Sequence, residues 1–266
     1  NITIIKCGKS KFDLLGIPAS EFPPIAEVMK DDSIDIDIEK LLKAIKQTTF
    51  SSANYDSSNV LSGVFYSIKD NNLEMAATDG NRLSRFIIEI DNKEGKEFSV
   101  IIPSRTLSEF TKILSGCSDE KVSIVAKNGQ ISFILSDRHL TSRLIDGQYP
   151  KYQQLIPSNY SIKAVAGKSD LISALERTST MVNERTSVIK LTFNNNTLQL
   201  MADTPDLGDS SDQIDIEYSD EELKIAFNYK YMLDVLKVIE SDNVVIELGG
   251  SAAAALIRPD SEENFI

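Results

Sequence analysis

Side chains suited to acid–base catalysis are few in this sequence, and the single histidine does not complete a site. His139 lies in the segment SDRHLTSRLIDG, and any Ser–His–Asp triad would have to use it. Its position next to Leu140 on a predicted strand favours a surface histidine instead. The phosphate-binding patterns GxGxxG and GxxxxGKS/T do not occur. These residues give no support for an enzyme.

Carboxylates cluster at two places where a metal ion could be considered. Asp35, Asp37 and Glu39 alternate, which puts them on the solvent face of a strand that leads into a helix. The segment 203–215 is predicted to be an acid-rich loop, and its aspartates include Asp203, Asp206, Asp209 and Asp212. Their spacing is not that of an EF-hand. We predict no metal, no cofactor and no catalytic residue, and keep a carboxylate-based hydrolase only as a third hypothesis.

Composition and charge are those of an ordinary globular protein. Of 266 residues, 41% are apolar and 26% are charged. The net charge of −12 argues at first against a nucleic-acid partner, because polyanions repel each other. Cys7 and Cys117 have neither metal-ligand spacing nor a disulfide framework, and the longest apolar run is far below the ~20 residues that cross a bilayer. We expect a cytoplasmic protein without a membrane partner.

The elements that must position any site are short strands and four helices of medium length. Apolar spacing predicts helices at 37–47, 104–114, 168–180 and 228–239. Ser104 is the predicted N-cap of the second helix, and Asn128-Gly129 predicts a hairpin. A further hairpin is predicted around Gly8. The pattern indicates an α+β class in which the helices pack on one side of antiparallel sheets.

The sequence contains an internal repeat of about 125 residues. LLKAIKQTTF at Leu41 matches LISALERTST at Leu171 in its apolar and polar classes, 130 positions later. EFSVIIPSRTLSEFTKIL at Glu97 matches ELKIAFNYKYMLDVLKVI at Glu222, 125 positions later. Because this period is too long for a solenoid, we expect two copies of one domain. The predicted boundaries are 1–24 for the end of a preceding copy, then 25–157 and 158–266.

The charge is distributed unevenly between helices and strands. The four predicted helices carry nine basic and six acidic residues, a net charge of +3, whereas the rest of the chain carries −15. Lys40, Lys43 and Lys46 follow one another at intervals of three, on the side opposite Leu41 and Ile45. The helices therefore offer a mildly basic surface that the total charge conceals.

Four longer motifs are distinctive: ATDGNRLS at Ala77, VIIPSRTLSEF at Val100, SRLIDGQYPKYQQLIP at Ser142 and FNYKYMLDVL at Phe227. Together they resemble the bacterial DNA polymerase III beta subunit, the sliding clamp. The motifs occur in the family's order over essentially the whole chain. The resemblance implies the DNA clamp fold, with repeated domains of two helices packed on antiparallel sheets. It also implies that the chain is incomplete at both ends, with the third domain lacking its final strand.

The resemblance implies a processivity factor without catalytic activity. In the family, two subunits form a closed ring around double-stranded DNA, which is held without sequence readout. By position, the residues that face DNA would be Lys43, Lys46, Ser104 and Arg105. The implied partners are the DNA polymerase III alpha subunit, the clamp loader and other proteins with a clamp-binding motif.

Those partners insert short peptides into an apolar cleft between the second and third domains of the family. The residues implied for this cleft are Leu61, Thr78, Gly80, Asn81, Arg82, Leu83, Pro150, Leu155, Asn228 and Tyr231. Asn81 departs from the family, which usually has His there. The chain also stops at ENFI, before the tail that helps to form the cleft in the family, so peptide binding is expected to be weakened.

The resemblance also implies a homodimer when the chain is full length. Lys9, Lys11, Phe12 and Leu14 match one side of the family's interface, and Asp206 and Asp209 match the other. An alternative hypothesis is a non-catalytic scaffold of clamp fold that binds peptides but does not encircle DNA. The modest charge of the helices leaves this alternative open.

Overall fold

A computed structural model describes residues 2–21, 33–54, 59–157, 160–183, 185–205, 208–262 and 264–266. The chain divides into two compact units, residues 1–32 and 33–266. The boundary predicted between residues 24 and 25 lies outside the described residues.

The smaller unit contains one antiparallel hairpin. Strand β1 (Ile2–Cys7) pairs with β2 (Ser10–Leu15), and Gly8 takes the positive φ of +58° that the tight turn requires. The hairpin was predicted at this glycine. Apolar side chains on it are exposed, among them Phe12 and Leu14, which are both more than half accessible.

The larger unit contains two halves, here called the N-terminal half (33–157) and the C-terminal half (160–266), whose elements follow the same order except that the N-terminal half ends with one additional strand. The N-terminal half contains β3 (Ile34–Asp37), α1 (Ile38–Thr49), β4 (Gly63–Lys69), β5 (Asn72–Thr78), β6 (Leu83–Glu89), β7 (Phe98–Pro103), α2 (Ser104–Leu114), β8 (Lys121–Lys127), β9 (Gln130–Ile134) and β10 (His139–Arg143). The C-terminal half contains β11 (Ile162–Gly167), α3 (Lys168–Ser179), β12 (Val188–Asn194), β13 (Thr197–Thr204), β14 (Gly208–Glu217), β15 (Leu223–Asn228), α4 (Tyr229–Val238), β16 (Asn243–Leu248) and β17 (Leu256–Pro259).

The sheets repeat in the same way. The N-terminal half has two four-stranded sheets, ordered β10-β9-β8-β3 and β6-β5-β4-β7. The C-terminal half has seven strands in a single sheet, ordered β15-β12-β13-β14-β11-β16-β17. Its two parts are joined where β11 pairs with β14, through only two residue pairs, Val165 with Glu217 and Ala166 with Ile216.

The helices bury one apolar face each and lie side by side. In α1, Leu41, Ala44 and Ile45 are buried, at the helical spacing seen in the sequence. Helix α1 contacts α2 and α4, and α4 contacts α3, which gives the row α2-α1-α4-α3. Within the described residues, no helix is both long and apolar enough to pass through a membrane.

Two local predictions were wrong. Ser104 is the first helical residue of α2 rather than its N-cap, because Pro103 occupies the cap position and the Ser104 hydroxyl donates to the carbonyl of Ser62 at 2.8 Å. The expected acid-rich loop is largely strand β14, where Asp209 and Asp215 point to solvent, Asp212 pairs with Arg177 of α3, and Ile214 and Ile216 point to the core. This alternation has the period of a strand.

The last residues attach to strand β6 of the N-terminal half. The amide of Arg85 donates to the carbonyl of Ile266 at 2.8 Å, and the amide of Ile87 donates to the carbonyl of Asn264 at 2.9 Å. Between them, Phe265 is fully buried and meets Phe86 edge-to-face, with the ring centroids 6.2 Å apart. These residues tie the two halves together along the edge of β6.

Candidate functional site

A cleft of about 450 Å³ opens between the two halves of the larger unit. Eight of the ten cleft residues expected from the sequence line it: Thr78, Gly80, Asn81, Arg82, Leu83, Leu155, Asn228 and Tyr231. The lining is mainly apolar, and Leu155, which is 63% exposed, belongs to it. Such a surface can bury apolar anchors while a few polar groups orient the ligand.

The turn between β5 and β6 forms one wall, and its own side chains fix its shape. Asp79 Oδ1 accepts from the amides of Asn81 and Arg82 at 2.9 and 3.0 Å. The Thr78 hydroxyl donates to the Arg82 carbonyl at 2.6 Å and accepts from the amide of Gly80. Gly80 has φ of +91°, which a residue with a Cβ rarely adopts. The ATDGNRL segment therefore forms a rigid turn.

An aromatic cluster supports this turn. The hydroxyl of Tyr149 accepts from the amide of Thr78 at 3.1 Å. Its ring packs against Phe65 and Tyr152 at centroid distances of 5.6 and 6.2 Å. Burial raises the pKa of Tyr149 to about 12, so the phenol stays protonated at neutral pH.

The opposite wall comes from the C-terminal half. Asn228 caps α4, because its side chain accepts from the amide of Lys230 at 3.0 Å. The first turns of α4 then bring Tyr231 and Met232 to the cleft. Tyr160 also lines it, and burial, with a smaller contribution from nearby Glu247, raises the pKa of its phenol to about 12.

One charged side chain, Arg82, lies among the lining residues and reaches across the cleft. Its Nε is 3.1 Å from Asp79 Oδ2, and its Nη1 is 2.6 Å from Asp234 Oδ2 on α4. The guanidinium also stacks on the ring of Tyr231, 4.4 Å from its centroid, and lies 5.5 Å from that of Phe50. This group joins the N-terminal wall to the C-terminal wall.

Two expected cleft residues do not line the cavity. Leu61 lies in a short 3-10 turn, where its carbonyl accepts from the amide of Ala53 at 2.8 Å. Pro150 is exposed, and its carbonyl accepts from the amide of Tyr152 at 2.8 Å. The lining residues that were not foreseen are Phe50, Ser51, Ser84, Ile156, Pro157, Tyr160, Phe227, Met232, Val235, Ala254, Ala255, Leu256, Ile257 and Ile266. Most are apolar, so the hydrophobic pattern gave no signal that separates them from core residues.

The residues expected to face DNA lie on α1 and α2 in different environments. Lys46 and Arg105 are exposed. Lys43 is instead an ion-paired side chain, with its Nζ 2.5 Å from Glu262 Oε1 and 3.7 Å from Glu240 Oε2. Its charge is thus compensated by two carboxylates of the C-terminal half. Ser104 donates its hydroxyl to the backbone, as described above.

The residues expected at a dimer interface lie on the β1–β2 hairpin and on β14, and one of them lies outside the described residues. Lys9, Phe12 and Leu14 are exposed on the hairpin, and Lys11 forms an ion pair with Asp13 at 3.0 Å. Asp209 is exposed on β14, and Asp206 lies outside the described residues. Between Gly208 and Asp215, β14 pairs with β13 on one side, and its only other pairing in the described chain is with β11, at Ile216 and Glu217.

Catalytic and metal-binding groups are not assembled in the described part of the chain. No cluster of three or more His, Cys, Asp or Glu side chains there could hold a metal ion. His139 is exposed at the start of β10. Cys7 and Cys117 are both unbridged thiols.

Comparisons with known proteins identify two successive domains. The DNA polymerase III beta subunit central domain matches residues 35–151, and the C-terminal domain of the same subunit matches residues 153–266. The beta sliding clamp of Staphylococcus epidermidis is 35% identical over 98% of this chain and 70% of its own length. The beta sliding clamp of Synechococcus elongatus is 30% identical over 96% and 69%.

Solved clamp structures have the same fold. The DNA polymerase sliding clamp of Bacillus subtilis superimposes with a TM-score of 0.89 at 31% identity, covering 99% of this chain and 70% of that one. The DNA polymerase III beta subunit of Pseudomonas aeruginosa gives 0.90 at 28% identity, covering 99% and 72%. The predicted α+β class and DNA clamp fold are confirmed. The chain belongs to the DNA polymerase III beta subunit family, the beta sliding clamps.

Proposed function

We propose that this chain is part of a ring-shaped processivity factor that encircles double-stranded DNA and tethers replication proteins to it. The row of four helices carries the proposal, because it offers one continuous surface backed by sheets. Its exposed basic side chains without an ion pair in the described residues are Lys40, Lys46, Arg105, Lys230 and Lys237, whereas Lys112 and Arg177 are exposed but pair with Glu109 and Asp212. A surface of this kind attracts phosphates without reading bases. The role is binding, not catalysis.

The cleft between the halves is the proposed docking site for partner peptides. Its apolar lining and rigid turn suit short extended segments that carry Leu or Phe anchors. By family membership, the partners would be the DNA polymerase III alpha subunit, the clamp loader and other proteins with a clamp-binding motif. We also propose a cytoplasmic location, in keeping with these partners and with the two free cysteines.

The exposed hairpin and the edge of β14 are the proposed contacts between two full-length subunits. An isolated two-stranded hairpin with exposed apolar side chains is stable only when another surface covers it. Lys9 beside Asp209 of a second subunit would pair opposite charges. We propose the domain limits 1–24, 25–157 and 158–266, with the first segment as the end of a preceding copy.

A second candidate is a peptide-binding scaffold of clamp fold that does not encircle DNA. The ion pairs of Lys43 with Glu240 and Glu262 favour it, because they neutralise one of the expected DNA contacts. The scaffold would keep the cleft while its helices bind DNA no better than any mildly charged surface does.

Duplex binding separates the two candidates. We would measure the affinity of the 266-residue chain for a labelled 30-base-pair duplex, as a function of salt, for the unchanged chain and for a Lys46→Glu, Arg105→Glu double variant. Each lost phosphate contact lowers the slope of log K against log salt by ~0.9. A clamp should lose about two such contacts, whereas a scaffold should show the same weak binding in both chains. The matched control, Lys163→Glu on strand β11 outside the helical row, should change neither.

A further inference from the structure

The guanidinium of Arg82 is held from two sides of the cleft. Asp79 belongs to the same turn and binds Nε, whereas Asp234 comes from α4 and binds Nη1 at 2.6 Å. The stacking partner Tyr231 lies one helical turn before Asp234. Thus one helix supplies both the ring under the guanidinium and the carboxylate at its end.

This arrangement leaves Nη2 as the guanidinium nitrogen without a hydrogen-bond partner in the described residues. Arg82 is only 18% exposed, yet it lines the cleft. A planar guanidinium that is fixed at two nitrogens and on one face has a single orientation. Its remaining donors are therefore presented in a constant direction.

Asp79 alone cannot fix that orientation. A single hydrogen bond at Nε still lets the guanidinium swing about the line from Nε to Asp79 Oδ2 and leave the Tyr231 ring. The second contact, from Asp234, closes the arrangement across the two halves, and Asp234 is 40% exposed, so it needs no buried charge. The ion pair between Asp234 and Arg82 therefore fixes the orientation of the guanidinium more than it adds to the free energy of unfolding.

We propose that Asp234 is a positioning residue for peptide recognition: it holds Arg82 against Tyr231 so that Nη2 donates to a main-chain carbonyl of an extended apolar peptide. A carbonyl fits this position, because the two carboxylates around one guanidinium leave a local charge of −1. The inference rests on the proposed peptide-binding function of the cleft.

The test measures binding of a fluorescein-labelled, C-amidated hexapeptide, Gly-Ser-Gly-Ser-Leu-Phe, to the 266-residue chain by fluorescence anisotropy. Asp234→Asn should bind about fivefold more weakly, as expected for one lost charge-assisted contact at a partly exposed site. Asp234→Glu, which restores the carboxylate, should recover most of the affinity. Asp212→Asn is the matched control, because it removes the carboxylate of the exposed Arg177 pair away from the cleft.

A double-variant cycle separates positioning from a purely structural role. If Asp234 acts through Arg82, Asp234→Asn should cause no further loss once Arg82→Lys is present. The inference alone would be overturned if the two losses multiplied, or if Asp234→Asn bound the peptide as tightly as the unchanged chain. Failure of the unchanged chain to bind the hexapeptide would overturn the proposed cleft function as well.

Discussion

Lys43 gives the sharpest contrast between a DNA contact and a structural contact. Sequence position puts it with Lys46 on the DNA side, but the structure pairs it with Glu262 and Glu240. We predict that Lys43→Gln destabilises the larger unit without weakening duplex binding. Lys46→Gln should weaken duplex binding and leave the stability of the larger unit unchanged.

The magnitude follows from the exposure of the pair. The side chains of Lys43 and Glu262 are 27% and 33% exposed, so their 2.5 Å contact is intermediate between a surface pair and a buried one. We assign it about 1 kcal/mol, the upper end for surface pairs. In a domain of this size, that loss lowers the melting temperature by about 2 °C. Glu240, whose Oε2 lies 3.7 Å from the Lys43 Nζ, would also lose its cation.

Two measurements check this prediction. Calorimetry should show the lower melting temperature for Lys43→Gln and an unchanged one for Lys43→Arg, which keeps the charge. Titration with the labelled duplex should show a salt slope lower by ~0.9 for Lys46→Gln only. The reasoning is refuted if Lys43→Gln weakens duplex binding as much as Lys46→Gln does while its melting temperature is unchanged.

Three further predictions concern the cleft wall, the edge of β6 and alkaline pH. Tyr149→Phe removes the acceptor of the Thr78 amide and, at about 1 kcal/mol, should weaken hexapeptide binding about fivefold; unchanged affinity would contradict the supporting role of the phenol. Phe265→Ala removes a fully buried ring, so hydrogen exchange of the Arg85 amide should accelerate; equal exchange rates would show that the ring is not needed. Burial raises the pKa of Tyr66 above its ordinary value of 10, so its contribution to stability is complete below pH 10 and is lost as the pH rises further. Tyr66→Phe should move alkaline unfolding, followed by circular dichroism and tyrosinate absorbance, to higher pH, and titration of Tyr66 near 10 in the folded chain would contradict this.

Local patterns predicted much of the fold. Apolar spacing placed the helices within one or two residues of their observed ends, as for α1 around Leu41 and Ile45. Strand β14 was not predicted because its first residues are polar on both faces, and only Ile214 and Ile216 show which face is buried. Its strand conformation depends on pairing with β13, which no short window of sequence displays.

The candidate site was predicted from motifs that resemble a family, and not from the spacing of apolar and charged residues along the chain. The turn at Asp79 and Gly80 could be read because its residues contact one another locally. The partner of Arg82 on α4 lies 152 residues away, and that of Lys43 lies 219 residues away. Contacts over such separations depend on how the two halves pack, which explains why the role of Lys43 was not foreseen.

The narrow junction between β11 and β14 has a mechanical consequence. Two residue pairs join these strands, whereas β11 pairs with β16 through six. Bending of the sheet should therefore concentrate at Val165 and Ala166, while the strands β15-β12-β13-β14 and the strands β11-β16-β17 each move as a rigid group. A sheet bends most easily where the fewest hydrogen bonds join its strands. We therefore expect the β11–β14 junction to be the place where the C-terminal half changes its curvature while its core stays packed.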